Sequence, residues 1–395
     1  MKIPITKPYF TKDEFEIIQE PLKTGWVVQG PFVQKFEKAI SKFIGAKYSI
    51  ALNSCTSGQF IMSRIIDLKP EDEVIMPAFT WISTANSVEF LGAKAVFCDI
   101  NLDTFNIDSN KIKSLITNKT KAIYPVNLFG LPAELEKISQ IAQKFNLRVI
   151  EDSACGLGGF INEKHCGTFG DAAVFSFHPR KSITSGEGGM IITDKQDIAE
   201  KARSLRDHGA VKSDLERHKA NGGFLLTEYP MLGYNYRMTD IQGALGFSQS
   251  QKIPIIFQKK QELAAIYDSK VDNISWLRKP LTPDKFTHGY QTYCCLFKPD
   301  EAQQAIDKRD IDYIDRLHEE RNAVMLALEK KGIATRQGTH SVHIQKYYRE
   351  KYQYLKEDFI KSYTADRLTM ALPFFPQMTT KEIEYLFEKL KQIKV

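Results

Sequence analysis

A lysine set between a strand-breaking proline and a glycine-rich turn is a candidate nucleophile. The stretch FSFHPRKSITSGEGG, residues 175–189, has that form. An apolar run ends at Phe177, Pro179 breaks it, Lys181 follows, and the turn leads into the next apolar run. Ser176 lies five residues before the lysine. A hydroxyl there suits a phosphate beside an amine that forms a Schiff base. Desolvation and nearby positive charge lower an amine's pKa and make it nucleophilic. The other reading is a solvated loop lysine, and the surrounding composition weighs against it.

Further residues suit the same chemistry. NSCTSG, residues 53–58, follows an apolar run and opens a helix-patterned segment with Phe60, Ile61, Ile65 and Leu68. Small and hydroxyl residues at a helix start leave N–H groups free for a phosphate; they also make an ordinary N-cap. Glu151-Asp152 ends an apolar run. A carboxylate there holds a cationic ring nitrogen or a metal, or is a plain surface acid. Trp81 is either a stacking platform or a core aromatic. GYNYRMTD, residues 233–240, reads as a turn and a helix start capped by Thr239 or Asp240. His340 and His343 are spaced i, i+3. No third ligand accompanies them, so they read as loop histidines near a substrate or as surface histidines, and no metal site is expected. None of the six cysteines forms C-x-x-C, and Cys294 and Cys295 point to opposite faces of an expected strand. No G-x-G-x-x-G and no P-loop motif occurs.

These residues need a scaffold. Near-continuous apolar runs at 48–52, 73–76, 95–100, 121–126, 147–151, 172–177 and 189–193 read as parallel strands buried on both faces. Helix-like segments lie between them. The clearest is 132–146, with Pro132 at its first helical position and Leu135, Ile138, Ile141, Ala142 and Phe145 on one face. The alternation predicts a doubly wound α/β domain over 1–250, with ligands at the carboxyl ends of its strands. After residue 251 the pattern changes to helices at 253–268, 313–331 and 380–392 and a strand at 290–297, a smaller C-terminal α+β domain over 251–395. Residues 299–315 are highly charged and read as a surface insertion.

The chain's 395 residues suit two domains. The 54 basic and 48 acidic residues are interspersed, so nucleic-acid binding is not expected. No apolar run is long enough to span a bilayer, and residues 1–16 hold no apolar stretch of signal-peptide length. The expected location is cytoplasmic, without disulfides.

Taken together the motifs resemble one family, the DegT/StrS-type PLP-dependent sugar aminotransferases of the fold type I, aspartate-aminotransferase-like superfamily. The resemblance runs from GWVVQG (residues 25–30) through GTHSVH to ALPFFPQMT, and FSFHPRKSITSGEGG and GYNYRMTDIQGALG carry it most specifically. It implies a large doubly wound, mostly parallel seven-stranded sheet domain, with an N-terminal arm over about 1–35, plus the smaller α+β domain. It implies pyridoxal 5'-phosphate (PLP), cycling through pyridoxamine 5'-phosphate. Lys181 matches the lysine of the internal aldimine, Asp152 the carboxylate on the ring nitrogen and Trp81 the stacked aromatic. Thr56, Ser57 and Ser176 match phosphate ligands. Asn235 matches an asparagine that reaches the phosphate from the partner subunit of a homodimer with shared sites. His178, Arg237, His340 and His343 are substrate-side candidates. Loops near 206–208, 221–228 and 335–343 would read the sugar. The implied reaction is ping-pong transfer of an amino group from L-glutamate to a nucleotide-linked keto-deoxy sugar, at carbon 3 or 4, in surface polysaccharide or amino-sugar biosynthesis.

Two positions depart from the pattern. Cys155 stands where the family often has Gln or His near the cofactor's phenolic oxygen, and a thiol is a weak hydrogen-bond partner. The phosphate motif reads Ser54-Cys55-Thr56-Ser57 instead of S-G-T-A. One branch of the family replaces the lysine with histidine and is a dehydratase; Lys181 argues against it. A non-catalytic PLP-binding regulator is a further alternative, disfavoured because no helix-turn-helix segment or basic tail accompanies the chain.

Overall fold

The computed structural model describes residues 1–212, 215 and 227–393. All seven runs form one sheet: β1 (Tyr48–Leu52), β2 (Glu73–Pro77), β3 (Lys94–Cys98), β4 (Thr120–Ile123), β5 (Arg148–Asp152), β6 (Ala172–Ser176) and β7 (Gly189–Thr193). Their order is β1-β7-β6-β5-β4-β2-β3. Neighbours are parallel except β7, which is antiparallel to both β1 and β6. The near-continuous apolar runs are buried on both faces, as a doubly wound sheet requires. Ile50, Val174 and Ile191 enter one core; Ala51, Ala173, Phe175, Met190 and Ile192 enter another.

Helices α1 (Pro31–Ile44), α2 (Cys55–Ile65), α3 (Ser83–Glu89), α4 (Leu135–Lys144), α5 (Gln196–Arg206) and α6 (Asp240–Gln251) belong with this sheet. α1 shows why. Pro31 sits at its first turn, and Val33, Phe36, Ile40 and Ile44 repeat at helical spacing and are buried. α2, α3 and α5 cover the opposite face with Ile61, Met62, Ala85, Val88, Ala199 and Ala202. Among the described residues no helix is long and apolar enough to cross a membrane.

The C-terminal portion has a three-stranded antiparallel sheet of β8 (Leu277–Arg278), β9 (Tyr293–Phe297) and β10 (Thr369–Leu372), in that order. Around it lie α7 (Ile253–Val271), α8 (Pro299–Lys308), α9 (Ile311–Lys330), α10 (Ile360–Leu368) and α11 (Thr380–Lys391). α7 spans both cores: Ile253 and Ile256 pack with the large sheet, Leu263, Ala264 and Tyr267 with the small one. Ile3 also joins the C-terminal core, where its N–H donates to the Gly332 carbonyl at 2.8 Å.

Two expectations are corrected. Residues 299–315 are not a surface insertion. They form α8 and the start of α9, and Ala302, Ala305, Ile306 and Ile314 are buried in the C-terminal core. The charges that suggested an insertion occupy the outer faces. The helix expected from Pro132 begins at Leu135 instead. The Asn106 amide holds the carbonyls of Leu131 and Pro132 at 3.0 and 3.1 Å, outside the helix.

Candidate active site

The register of β1, β7 and β6 brings Leu52, Gly189 and Ser176 into one row at the carboxyl edge of the sheet. The residues that follow or flank this row carry the chemistry. Gly189 has to be glycine, since a Cβ there would sit 2.3 Å from the Ser54 carbonyl oxygen. That contact sets β7 against the start of α2.

Beside the row is a cavity of about 390 Å³, lined by Ser54, Cys55, Thr56, Trp81, Asp152, Cys155, Ser176, His178 and Lys181 among others. The loop between β6 and β7 delivers Lys181. It is pinned at both ends: Phe177 N–H donates to the Gly188 carbonyl at 2.9 Å, and Thr184 Oγ1 donates to the Phe177 carbonyl at 2.8 Å. Gly186 takes the turn with φ +86°. The lysine Nζ donates to Cys155 Sγ at 3.1 Å. Burial acts against its ammonium form, but Cys155, Cys55 and Asp152 outweigh burial and raise its pKa above the usual lysine value. His178 lies beside it, with its pKa lowered by burial.

The Ser54 hydroxyl caps α2, accepting from the Ser57 N–H at 3.1 Å. The first-turn N–H groups beyond the cap lack helical partners and mark an anion site. Thr56 is exposed to the cavity. The Ser57 hydroxyl donates to Asn53 Oδ1 at 2.7 Å, and Ser57 is not among the residues that line the cavity. Cys55, which carried no assignment in the sequence, lines it.

Asp152 ends β5 and is 4% exposed. Its Oδ2 accepts from Thr84 Oγ1 at 2.6 Å and its Oδ1 from the Ala154 N–H at 3.1 Å. Burial raises its pKa, and these bonds and Lys181 offset that only in part. A carboxylate in that state is completed by a protonated ring nitrogen. Thr84 is fixed by the same turn that carries Trp81, since its Oγ1 also reaches the Trp81 carbonyl at 3.2 Å. Trp81 is 54% exposed and lies over the cavity.

The opposite wall comes from afar. His340–Ser341 pairs antiparallel with Phe79–Thr80, which carries Arg336, Gln337, Gly338 and Thr339 onto the cavity. Arg336 and Gln337 lay inside the flagged segment 335–343 but were not singled out. Ile5, Thr6, Arg180, Gln291 and Thr292 also line it without having been flagged. His340 is exposed and meets the Trp81 ring at 5.7 Å without lining the cavity. His343 is corrected: it is buried against Phe359, accepts or donates at Ser341 Oγ, and burial lowers its pKa to about 4. Asn235 is exposed and Arg237 pairs with Asp207; neither lines the cavity of its own chain. Arg206 is buried against Glu37 and the Ala51 carbonyl, away from the cavity. Of the segment 221–228, residues 221–226 lie outside the described residues.

The observed parts fit PLP: an amine, a helix N-terminus, a buried acid and an aromatic face around one cavity. Comparison with known proteins agrees. The model of the DegT/DnrJ/EryC1/StrS aminotransferase family matches residues 8–391. The chain is 34% identical over 391 residues to an uncharacterized protein of Methanocaldococcus jannaschii, covering 99% of this chain and 97% of that one. It is 33% identical over 391 residues to the spore coat polysaccharide biosynthesis protein SpsC of Bacillus subtilis, with the same coverage. Among solved structures, Helicobacter pylori PseC, an aminotransferase involved in the biosynthesis of pseudoaminic acid, superposes with a TM-score of 0.86 at 27% identity, covering 99% of each chain. Spr1654 of Streptococcus pneumoniae in its PMP form superposes at 0.88 and 24% identity over 99% of this chain and 98% of that one, a likeness of fold.

Proposed function

The chain belongs to the DegT/DnrJ/EryC1/StrS aminotransferase family, fold type I enzymes that use PLP and act on sugars, and on that premise we propose that it transfers an amino group from L-glutamate to a nucleotide-linked keto-deoxy sugar. The observation that carries this reading is the meeting of Lys181, Asp152, the α2 N-terminus and Trp81 on one cavity. The polysaccharide role named for SpsC and the pseudoaminic acid biosynthesis named for PseC support a carbohydrate acceptor, and the proposal takes carbon 3 or 4 as the position aminated.

Each residue has a part. Lys181 would hold the cofactor through its Nζ and, once freed, would serve the donor's α-proton as general base and then acid. Asp152 holds a proton on the ring nitrogen. Thr56, Ser176 and the α2 N–H groups bind the phosphate. Trp81 covers one ring face. When bound, the cofactor supplies an electron sink for the carbanion left by proton removal. Donor and acceptor use one cavity in turn, which gives ping-pong kinetics. Asn235 of the partner subunit completes the phosphate site in a homodimer.

The test is the absorbance of the purified protein with PLP, before and after L-glutamate. We expect a visible band that bleaches toward the near ultraviolet as 2-oxoglutarate forms. A band that ignores glutamate overturns the donor; no band at all overturns the assignment of Lys181.

A further inference from the structure

Cys155 occupies a position where the pattern calls for Gln or His, and the substitution places a thiol against the lysine. Lys181 Nζ donates to Cys155 Sγ at 3.1 Å, and both side chains line the cavity. Both are partly exposed, whereas the other five cysteines are buried. Reactive cysteines sit beside a cation in partly exposed surroundings. Cys155 has both features.

We propose that Cys155 and Lys181 form a redox modification site, in which hydrogen peroxide oxidises the thiol and the lysine then closes a reversible sulfur–nitrogen bond. In the first step the sulfur attacks a peroxide oxygen and the O–O bond breaks. The sulfur becomes a sulfenic acid, oxidised by two electrons, and the peroxide is reduced to water. In the second step the Lys181 ammonium gives up one proton to solvent, and the free amine attacks that sulfur. The S–O bond breaks, the hydroxyl leaves with a nitrogen-bound proton as a second water, and a sulfenamide remains with no further change of oxidation state. A small thiol reverses it: the thiol sulfur forms a disulfide with Cys155, the S–N bond breaks and Lys181 regains its proton. A second thiol then frees Cys155.

The modification removes the amine that the reaction requires, a consequence that rests on the assignment of Lys181 in the proposed function. A cofactor already joined to Lys181 protects it. Cys55 is the competing partner, since it lines the same cavity and its disulfide with Cys155 is the other way to quench a sulfenic acid.

The test treats cofactor-free protein with hydrogen peroxide, blocks remaining thiols, and maps peptides by mass spectrometry. We expect the peptides of Cys155 and Lys181 to be joined, lighter than their sum by two hydrogen atoms, and to separate with dithiothreitol. The joined species is absent from Cys155→Ser. In Lys181→Ala, which oxidises more slowly without the ammonium, the sulfenic acid that forms persists and is trapped by dimedone. Preloading with PLP suppresses the cross-link. A Cys55–Cys155 disulfide, oxidation of Cys155 only to sulfinic acid, or an unmodified Cys155 overturns the proposal. If the cross-link forms and the oxidised protein still gives the visible band with PLP, the modification stands and the assignment of Lys181 as the cofactor's lysine falls.

Discussion

In the proposed reaction Asp152 is ionised, yet it sits where ionisation is unfavourable, and that conflict can be measured. Burial raises its pKa above the ordinary 3.8, and Thr84, the Ala154 N–H and Lys181 offset this in part. With a folded pKa above the unfolded one, the protein gains protons on folding, so stability falls as pH rises from about 3.8 to the folded value. Cofactor-free Asp152→Asn escapes that loss. Its melting temperature should exceed the wild type's at neutral pH, with the gap closing below pH 3.8. A variant no more stable than wild type at neutral pH refutes the account. Trp81→Ala should weaken PLP binding by about 0.5–1.5 kcal/mol, the worth of an aromatic stack, read from titration of the visible band; unchanged affinity removes Trp81 as the ring's platform. Residue type and spacing singled out Lys181, whereas Asp152 and Trp81, each with an ordinary reading at least as good, took their roles from the family resemblance. Type and spacing could not show that Glu151, the residue before Asp152, is clamped by the N–H groups of Gly167, Phe169 and Gly170. Nor could they show that the Ser57 hydroxyl turns to Asn53, because a hydroxyl's direction depends on partners that the sequence does not name.

At the scale of elements, strand alternation was legible because each strand is buried on both faces. α8 was not, because its three buried side chains, Ala302, Ala305 and Ile306, are few and small among charges. The N-terminal segment offers a sharper case. Glu14, in the helix Lys12–Ile17, is 3% exposed and takes Lys252, Gln249, Ser248 and the Thr11 N–H, tying that helix to α6 and to Lys252, which follows it. Although burial acts against the charge, these partners lower the Glu14 pKa from 4.5 to about 2. The clasp is fully present above pH 4.5 and is lost as pH falls through about 2. Glu14→Gln should cost about 1–3 kcal/mol at neutral pH, the range for stranding a buried hydrogen-bonding partner. Urea unfolding of the two proteins should then converge as pH approaches 2. Parallel curves across that range exclude the clasp.

Across the whole molecule, the sequence cannot say which distant segments close one cavity. Phe129 lines it from a left-handed backbone, φ 57°, fixed by a carbonyl that accepts from Thr292 N–H at 3.2 Å. Arg336 arrives through a two-residue strand pairing, and Ile5 arrives from the N-terminus. Such contacts follow from tertiary closure and leave no periodic mark. Asn235, exposed and absent from its own chain's cavity, gives the dimer reading a strict consequence. In a homodimer with shared sites, Lys181→Ala and Asn235→Ala should each be inactive when refolded alone. In a mixed dimer one site receives both lesions and the other receives none. Random reassortment makes half the dimers mixed, so an equal mixture, unfolded and refolded together, should recover about a quarter of wild-type activity by isologous pairing. If both residues served the same chain's site, every site in the mixture would carry a lesion and no activity would return.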